Sequence, residues 1–305
     1  MYDIIIIGGG PAGVAAGIYA ARKKMDTLFI AENFSGQSVV SHEIENWIGV
    51  PKISGFLLAK NLEIHLRAQK NIEIKSPERA RKIKEKDGNF IVETDKSEYE
   101  TRTVIICIGA RRRRLNIPGE KEYAGKGIAY CSTCDAPLFK DKQVVVIGSG
   151  NASLEAVKDL INYAKEIHIL NRSKTIRGDA VSFEKIKKAP NFKGVINNAI
   201  AKEVRGGIFV EKLVYTDTKK NIDKDLSVQG IFVEIGSIPN IDITNNLVKL
   251  NHLGEIIVDH KTSATSKLGI YAAGDVTDSV YKQNNISAGD GVKAALSACD
   301  YLKRK

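Results

Sequence analysis

Long hydrophobic stretches are missing from this chain. The longest unbroken apolar run, Val104 to Ile108, has five residues, whereas a membrane-spanning helix needs about twenty. No basic leader precedes Ile4 to Ile7, and that run is too short for a signal-peptide core, so a cytoplasmic protein without a membrane partner is expected. Cysteine is scarce too. Cys107, Cys131, Cys134 and Cys299 are too few and too unevenly placed for a secreted disulfide framework. The five histidines form no metal-type or triad spacing, and no segment is of low complexity. Histidine-based hydrolysis and general disorder are thereby set aside.

What is present is ordinary globular composition: 305 residues, 43% hydrophobic and 27% charged. At about 100 to 200 residues per domain, the length predicts two domains, each able to bury its own core. Lys and Arg number 46 against 36 Asp and Glu, a formal charge of +10. That balance favours anionic cofactors or acidic partners, and by itself does not point to nucleic acid.

Two segments share one grammar. Asp3 to Ile7 reads as a central parallel strand running into Gly8-Gly9-Gly10-Pro11-Ala12-Gly13. An Ala-rich helix over Pro11 to Lys24 follows, with Val14, Ile18 and Ala21 at helical spacing, and then a strand at Thr27 to Ile30. The second copy starts 140 residues later. Gln143 to Ile147 is a strand, Gly148-Ser149-Gly150 turns, and Leu154, Val157, Leu160 and Ile161 line a helix before a strand at Glu166 to Leu170. A repeated dinucleotide-binding unit implies two nucleotides on two domains.

The expected fold class is α/β, with two Rossmann-like, three-layer ββα dinucleotide-binding domains, the second inserted into the first. Arg111 to Gly119 and Gly236 to Pro239 interrupt the periodicity and mark the connections. The boundaries predicted are 1–115 and 241–305 for the outer domain and 116–240 for the insertion. Alternation around Phe90, Val92 and Tyr99 predicts antiparallel strands added to the outer domain.

In the first copy Gly8, Gly10 and Gly13 allow a tight turn, close approach of a pyrophosphate, and helix packing on the strand. Glu32, 24 residues past Gly8, stands where a carboxylate accepts hydrogen bonds from a ribose diol. Cys131-Ser132-Thr133-Cys134 reads as redox-active or metal-binding. For zinc it lacks a second ligand pair, because no His flanks it and Cys107 lies in a strand. No metal site is expected. Cys107 reads as a small buried hydrophobe, Cys299 as a helix residue, and Arg111 to Arg114 as a solvated run.

With Ser35-Gly36-Gln37, Glu45-Asn46-Trp47, Cys131 to Asp135, Ala272-Ala273-Gly274-Asp275 and Tyr281-Lys282-Gln283, the chain resembles the low-molecular-weight thioredoxin reductase family over essentially its whole length. It also resembles the C-terminal flavoprotein module of the alkyl hydroperoxide reductase flavoprotein subunit, without that protein's N-terminal thioredoxin-like extension. The resemblance implies FAD on Gly8, Gly10, Gly13, Glu32, Gln37, Asn46 and Asp275, with Gln283 near the flavin ring. It implies a nicotinamide dinucleotide on Gly148, Gly150 and Ser153. Cys131 and Cys134 would be the redox disulfide, with Cys134 facing the flavin, Cys131 attacking the partner, and Asp135 as acid/base.

Further implications are a homodimer, rotation of the inserted domain about its two connections, and a thioredoxin-like or peroxiredoxin-type partner. The implied activity is thioredoxin-disulfide reduction. The alternatives are an NADH-dependent reductase for a peroxiredoxin-type or glutaredoxin-like partner, and a redox flavoprotein module with an unusual donor. For the nicotinamide donor, 23 and 24 residues past Gly148 stand Asn171 and Arg172, with Arg177 beyond. The resemblance places arginines at this point in enzymes that use NADPH and a Glu at the Asn171 position in those that use NADH. NADPH is therefore expected, with NADH as the alternative.

Overall fold

Ile4 to Ile7 alternate between two faces of one strand, and both faces are covered. Ile4 and Ile6 pack with Val14, Ile18, Ala294 and Ala298. Ile5 and Ile7 pack with Ile83, Phe90 and Val92. All four isoleucines are at most 3% exposed, which explains why the strand is apolar at every position and not at every second one. The computed structural model describes residues 1–34, 36–41 and 44–304; Ser35 of the motif Ser35-Gly36-Gln37 lies outside them.

The chain divides into two compact units, Met1–Arg111 with Ile238–Lys305, and Arg112–Ser237. In the first unit five parallel strands lie in the order Ile270–Ala272, Glu98–Ile106, Tyr2–Ile7, Thr27–Ile30, Glu73–Lys75. Helices Pro11–Arg22 and Asn284–Lys303 cover one face. Their axes approach closely because Gly291 faces Ala12, where a Cβ would lie 2.0 Å from the Ala12 carbonyl oxygen. On the other face, the hairpin Ala80–Lys86 and Asn89–Thr94 continues antiparallel onto Glu98–Ile106.

The second unit repeats the design. Its parallel sheet runs Phe192–Asn197, Glu166–Asn171, Gln143–Ile147, Gly230–Val233, Ile128–Ala129. Val144 and Val146 pack with Leu154, Val157 and Leu160 of helix Asn151–Ile161. Val145 and Ile147 pack with Val204, Val210 and Leu213 of an antiparallel sheet formed by Ala199–Gly206, Val210–Asp217 and Ile222–Ser227. The three-layer ββα class expected from the sequence is thus observed in both units.

The strand Ile270–Ala272 starts only after Gly269, which turns with φ +85°, and Leu268 ahead of it is 71% exposed. The closing helix begins at Asn284. The strand at Gly230 ends at Val233, although the Glu234 N–H still donates to the Ile147 carbonyl at 2.9 Å. Among the described residues, no helix is long and apolar enough to cross a membrane.

Candidate active site

Gly8 follows the first strand with φ +120°, and a Cβ there would lie 2.3 Å from the Cys107 carbonyl oxygen. Gly13 is closed the same way, its absent Cβ meeting the Gly8 carbonyl oxygen at 1.8 Å. Gly10 differs: no atom lies within 4 Å of its Cβ direction. Gly10 is also the N-cap of helix Pro11–Arg22, and a glycine has no side chain to satisfy the first N–H groups. By contrast, Ser54 caps helix Gly55–Arg67 by accepting from the Leu57 N–H. An open glycine at an uncapped helix N-terminus is the geometry that takes a phosphate.

Around this turn the first unit gathers polar side chains from distant parts of the chain. Gln37 Nε2 donates to Asp275 Oδ2 at 3.3 Å, and Ser287 Oγ donates to Asp275 Oδ1 at 3.2 Å. Gly36 lies beside the turn, its Cβ direction 3.8 Å from Gly10 Cα. Asn46 Nδ2 donates to Gln283 Oε1 at 3.4 Å, and Asn285 Nδ2 donates to the Asn46 carbonyl at 2.7 Å. Glu32 is exposed and pairs with Arg79 at 3.6 Å, a contact that solvent screens heavily. Thus Gln37 meets Asp275 and Asn46 meets Gln283.

The second turn has the same construction. Gly148 has φ +149°, and a Cβ there would lie 2.2 Å from Ser153 Oγ and 2.3 Å from the Glu234 carbonyl oxygen. Ser153 is fully buried and donates to that carbonyl at 3.2 Å, so a serine serves at the third position of the fingerprint. Gly150 has an open Cβ direction and caps helix Asn151–Ile161 without a side chain.

The loop after Glu166–Asn171 is tied to this second turn. The N–H groups of Arg177 and Gly178 donate to the Ser149 carbonyl at 2.7 and 2.9 Å. Arg177 Nη2 donates to Ser173 Oγ at 3.1 Å. Asn171 is fully buried, donating to the Thr175 carbonyl and to Asn197 Oδ1, and accepting from the Ser173 N–H. It is a scaffold for the loop, leaving Arg172 exposed and Arg177 held beside the turn.

Cys131 and Cys134 form a disulfide with a Cα separation of 5.4 Å, and both are partly exposed. Asp159 holds the segment between them, accepting from Ser132 Oγ at 2.8 Å and Thr133 Oγ1 at 3.3 Å. Tyr130, just ahead, donates to Glu120 at 2.8 Å and accepts from Arg114 at 2.8 Å. Burial and the Glu120 hydrogen bond push the Tyr130 hydroxyl up to about 12, so it stays a donor. The arginine run is therefore not simply solvated. Arg114 lies over the Tyr130 ring at 4.6 Å, and Arg112 pairs with Glu234 at 3.8 Å. Among the described residues, no cluster of three or more His, Cys, Asp or Glu could hold a metal.

A model of the family described as pyridine nucleotide-disulphide oxidoreductase matches residues 2–291. The chain belongs to that family. The resemblance drawn from its motifs is borne out. It is 41% identical over 303 residues to a protein named NADH dehydrogenase from Bacillus subtilis (strain 168), covering 99% of this chain and 59% of the relative. It is 42% identical over 307 residues to a Pseudomonas putida protein named as a component of alkyl hydroperoxide reductase, covering 99% of this chain and 58% of that protein. The chain spans about three-fifths of the length of these relatives. A solved thioredoxin reductase from Streptococcus pyogenes MGAS5005 has a TM-score of 0.90 at 30% identity, covering 100% of this chain and 99% of that one.

Ser287, Asn285, Asn197, Asp159 and Glu234 are site neighbours that motif reading missed. Single Ser, Asn, Asp or Glu residues carry no spacing signal; only folding brings them to the turns. The two remaining cysteines of the chain are free, Cys107 at 5% and Cys299 at 1% exposure. Burial pushes both thiols up, with no cation close enough to reverse the effect. After mild reduction under native conditions, an aromatic disulfide reagent should titrate two thiols promptly, at least about 100-fold faster than the other two. Four equally fast thiols would contradict this burial.

Proposed function

We propose that this chain is an FAD-dependent thioredoxin-disulfide reductase, taking hydride from NADPH and passing two electrons through the Cys131–Cys134 disulfide to the disulfide of a thioredoxin-like protein. One observation carries the proposal: a partly exposed Cys131–Cys134 disulfide shares a chain with two open, uncapped glycine turns, one in each unit. The first turn fits FAD, with Gly8, Gly10 and Gly13 under the pyrophosphate, Glu32 at a ribose, and Gln37, Asn46, Asp275 and Gln283 around the rest. Bound there, a flavin supplies the two-electron link between a nicotinamide hydride and a disulfide. The second turn takes the nicotinamide nucleotide on Gly148, Gly150 and Ser153.

In the dithiol state, the Cys131 thiolate attacks one sulfur of the partner disulfide. A mixed disulfide forms and a partner thiolate leaves, taking a proton from Asp135. The Cys134 thiolate then attacks the Cys131 sulfur, expels the second partner thiolate, and restores the Cys131–Cys134 bond. Two electrons have moved to the partner, and its two sulfurs end as thiols, the second thiolate taking its proton from water. We place this chemistry in a reducing, cytoplasmic compartment, in keeping with two cysteines left free. A homodimer fits the apolar residues Phe56, Leu57 and Ile64, exposed on helix Gly55–Arg67.

A second reading, NADH as donor and a peroxiredoxin-type partner, is favoured by the names of the Bacillus and Pseudomonas relatives. Against NADH stands the loop chemistry. Asn171 spends its amide inside the loop and offers no carboxylate to a ribose diol, whereas Arg172 and Arg177 are cations beside the turn.

Two experiments test the proposal. Cys134→Ser should accumulate a mixed disulfide with oxidised thioredoxin on a non-reducing gel, and Cys131→Ser should not. Trapping through Cys134 instead would reverse their roles. In rapid mixing, NADPH should reduce the wild-type flavin faster than NADH. A charge-assisted hydrogen bond contributes about 1.5 to 3 kcal/mol, so Arg177→Ala should lose about tenfold to a hundredfold of that preference. A wild type that prefers NADH would establish the second reading.

A further inference from the structure

Glu234 is a buried carboxyl that the dithiol chemistry does not use. Its backbone forms one wall of the second glycine turn. The N–H donates to Ile147, the carbonyl accepts from Ser153 Oγ, and that carbonyl closes the space where a Gly148 Cβ would stand. The residue is only 7% exposed. Arg112, from the connecting strand Ala110–Arg112, is the cation facing it, at 3.8 Å. Asp159 of helix Asn151–Ile161 and Asp135 at the end of the turn Ser132–Asp135 are the carboxyl groups that face it.

Strand order gives this position a meaning. Gln143–Ile147 lies between Glu166–Asn171 on one side and Gly230–Val233 on the other. In such a sheet a dinucleotide crosses the carboxyl ends of the strands where their order reverses, one half on each side of the glycine turn. Asn171, Ser173 and Arg177 stand on one side. The other side, at the end of Gly230–Val233, is where Glu234 stands.

We propose that Glu234 faces the nicotinamide half of the dinucleotide and reads its redox state, its carboxylate favouring the positively charged oxidised ring over the neutral reduced ring. This inference rests on the placement of a nicotinamide nucleotide at the Gly148 turn. Desolvation pushes the Glu234 carboxyl up to about 7, with Arg112 opposing and Asp159 and Asp135 adding to the rise. Near neutrality the group therefore exchanges a proton with water. Below that range it is protonated and distinguishes the two rings little. Above it the carboxylate attracts the cationic ring, so binding of oxidised nucleotide strengthens as pH rises and releases a proton within the window. One unit charge a few ångströms from another in a partly screened site shifts the relative affinity by about tenfold.

Calorimetric titration of the flavin-loaded full chain tests this. The probes are NADP⁺ and tetrahydro-NADP, a redox-inert analogue with a neutral ring, with NAD⁺ and tetrahydro-NAD in parallel. Because both members of a pair carry the same phosphates, their affinity ratio isolates the ring charge. In the wild type the ratio should rise about tenfold in favour of the oxidised form between about pH 6 and pH 8.5. Glu234→Gln should flatten it, and Arg112→Gln should move its midpoint upward. A pH-independent wild-type ratio, a Glu234→Gln ratio that keeps the slope, or an unmoved midpoint in Arg112→Gln overturns the inference while nucleotide binding persists. Failure of all four nucleotides to bind overturns the nucleotide turn itself, and Glu234's role with it.

Discussion

Everything in this molecule turns on how closely a strand end can approach the helix that follows it. At Gly8 and at Gly148 the backbone passes within 2.3 Å of where a Cβ would stand, against the Cys107 and Glu234 carbonyls respectively. A side chain at Gly8 would push the turn off the end of the neighbouring strand, and one at Gly13 would push the helix off Gly8. Because the helix starts at once, on Gly10 or Gly150, its first N–H groups have no side-chain cap. Unmet hydrogen-bonding capacity lies at both turns, and the Cβ direction of Gly10 and of Gly150 is open. Close packing and anion affinity are thus two results of one constraint.

The rest of the site is arranged around those points. In the first unit the closing helix Asn284–Lys303 packs on Pro11–Arg22 through Gly291, and that contact carries Ser287 to Asp275. In the second, the peptide N–H groups of Arg177 and Gly178 bind Ser149, so the loop bearing the arginines cannot drift from the turn. Asn171 fixes the same loop from beneath. Charge is distributed unevenly: the arginines near the second turn lie at the surface, whereas Glu234 is buried with one cation beside it. A carboxyl so placed costs free energy when ionised, and burial pushes Glu234 up to about 7.

Much of this was legible in the sequence, for identifiable reasons. A strand covered on both faces must be apolar at every position, so Ile4 to Ile7 and Val144 to Ile147 stand out without any periodicity. Glycines at fixed offsets after such strands mark the turns, and the spacing of Cys131 and Cys134 permits their disulfide. The antiparallel layer of the second unit was not legible, because Ala199–Gly206 and Ile222–Ser227 mix charged residues into both faces. Nor were the contacts of Asp275 with Gln37, 238 residues away, or of Asp159 with Ser132. These depend on chain segments meeting only in the folded state. The reading of Arg111 to Arg114 as a solvated run overlooked Tyr130 and Glu234, neither of which lies near it in sequence.

The proposed electron path joins, within one chain, a flavin at the first turn to a redox-active disulfide in the second unit. Anaerobic reductive titration of the flavin-loaded protein tests it most directly, counting electrons while following the flavin band. The wild type should take up about four electron equivalents per chain, two for the flavin and two for Cys131–Cys134, and a Cys131→Ser, Cys134→Ser double variant about two. Uptake of about two equivalents by the wild type, with the disulfide still oxidised once the flavin is bleached, would contradict it.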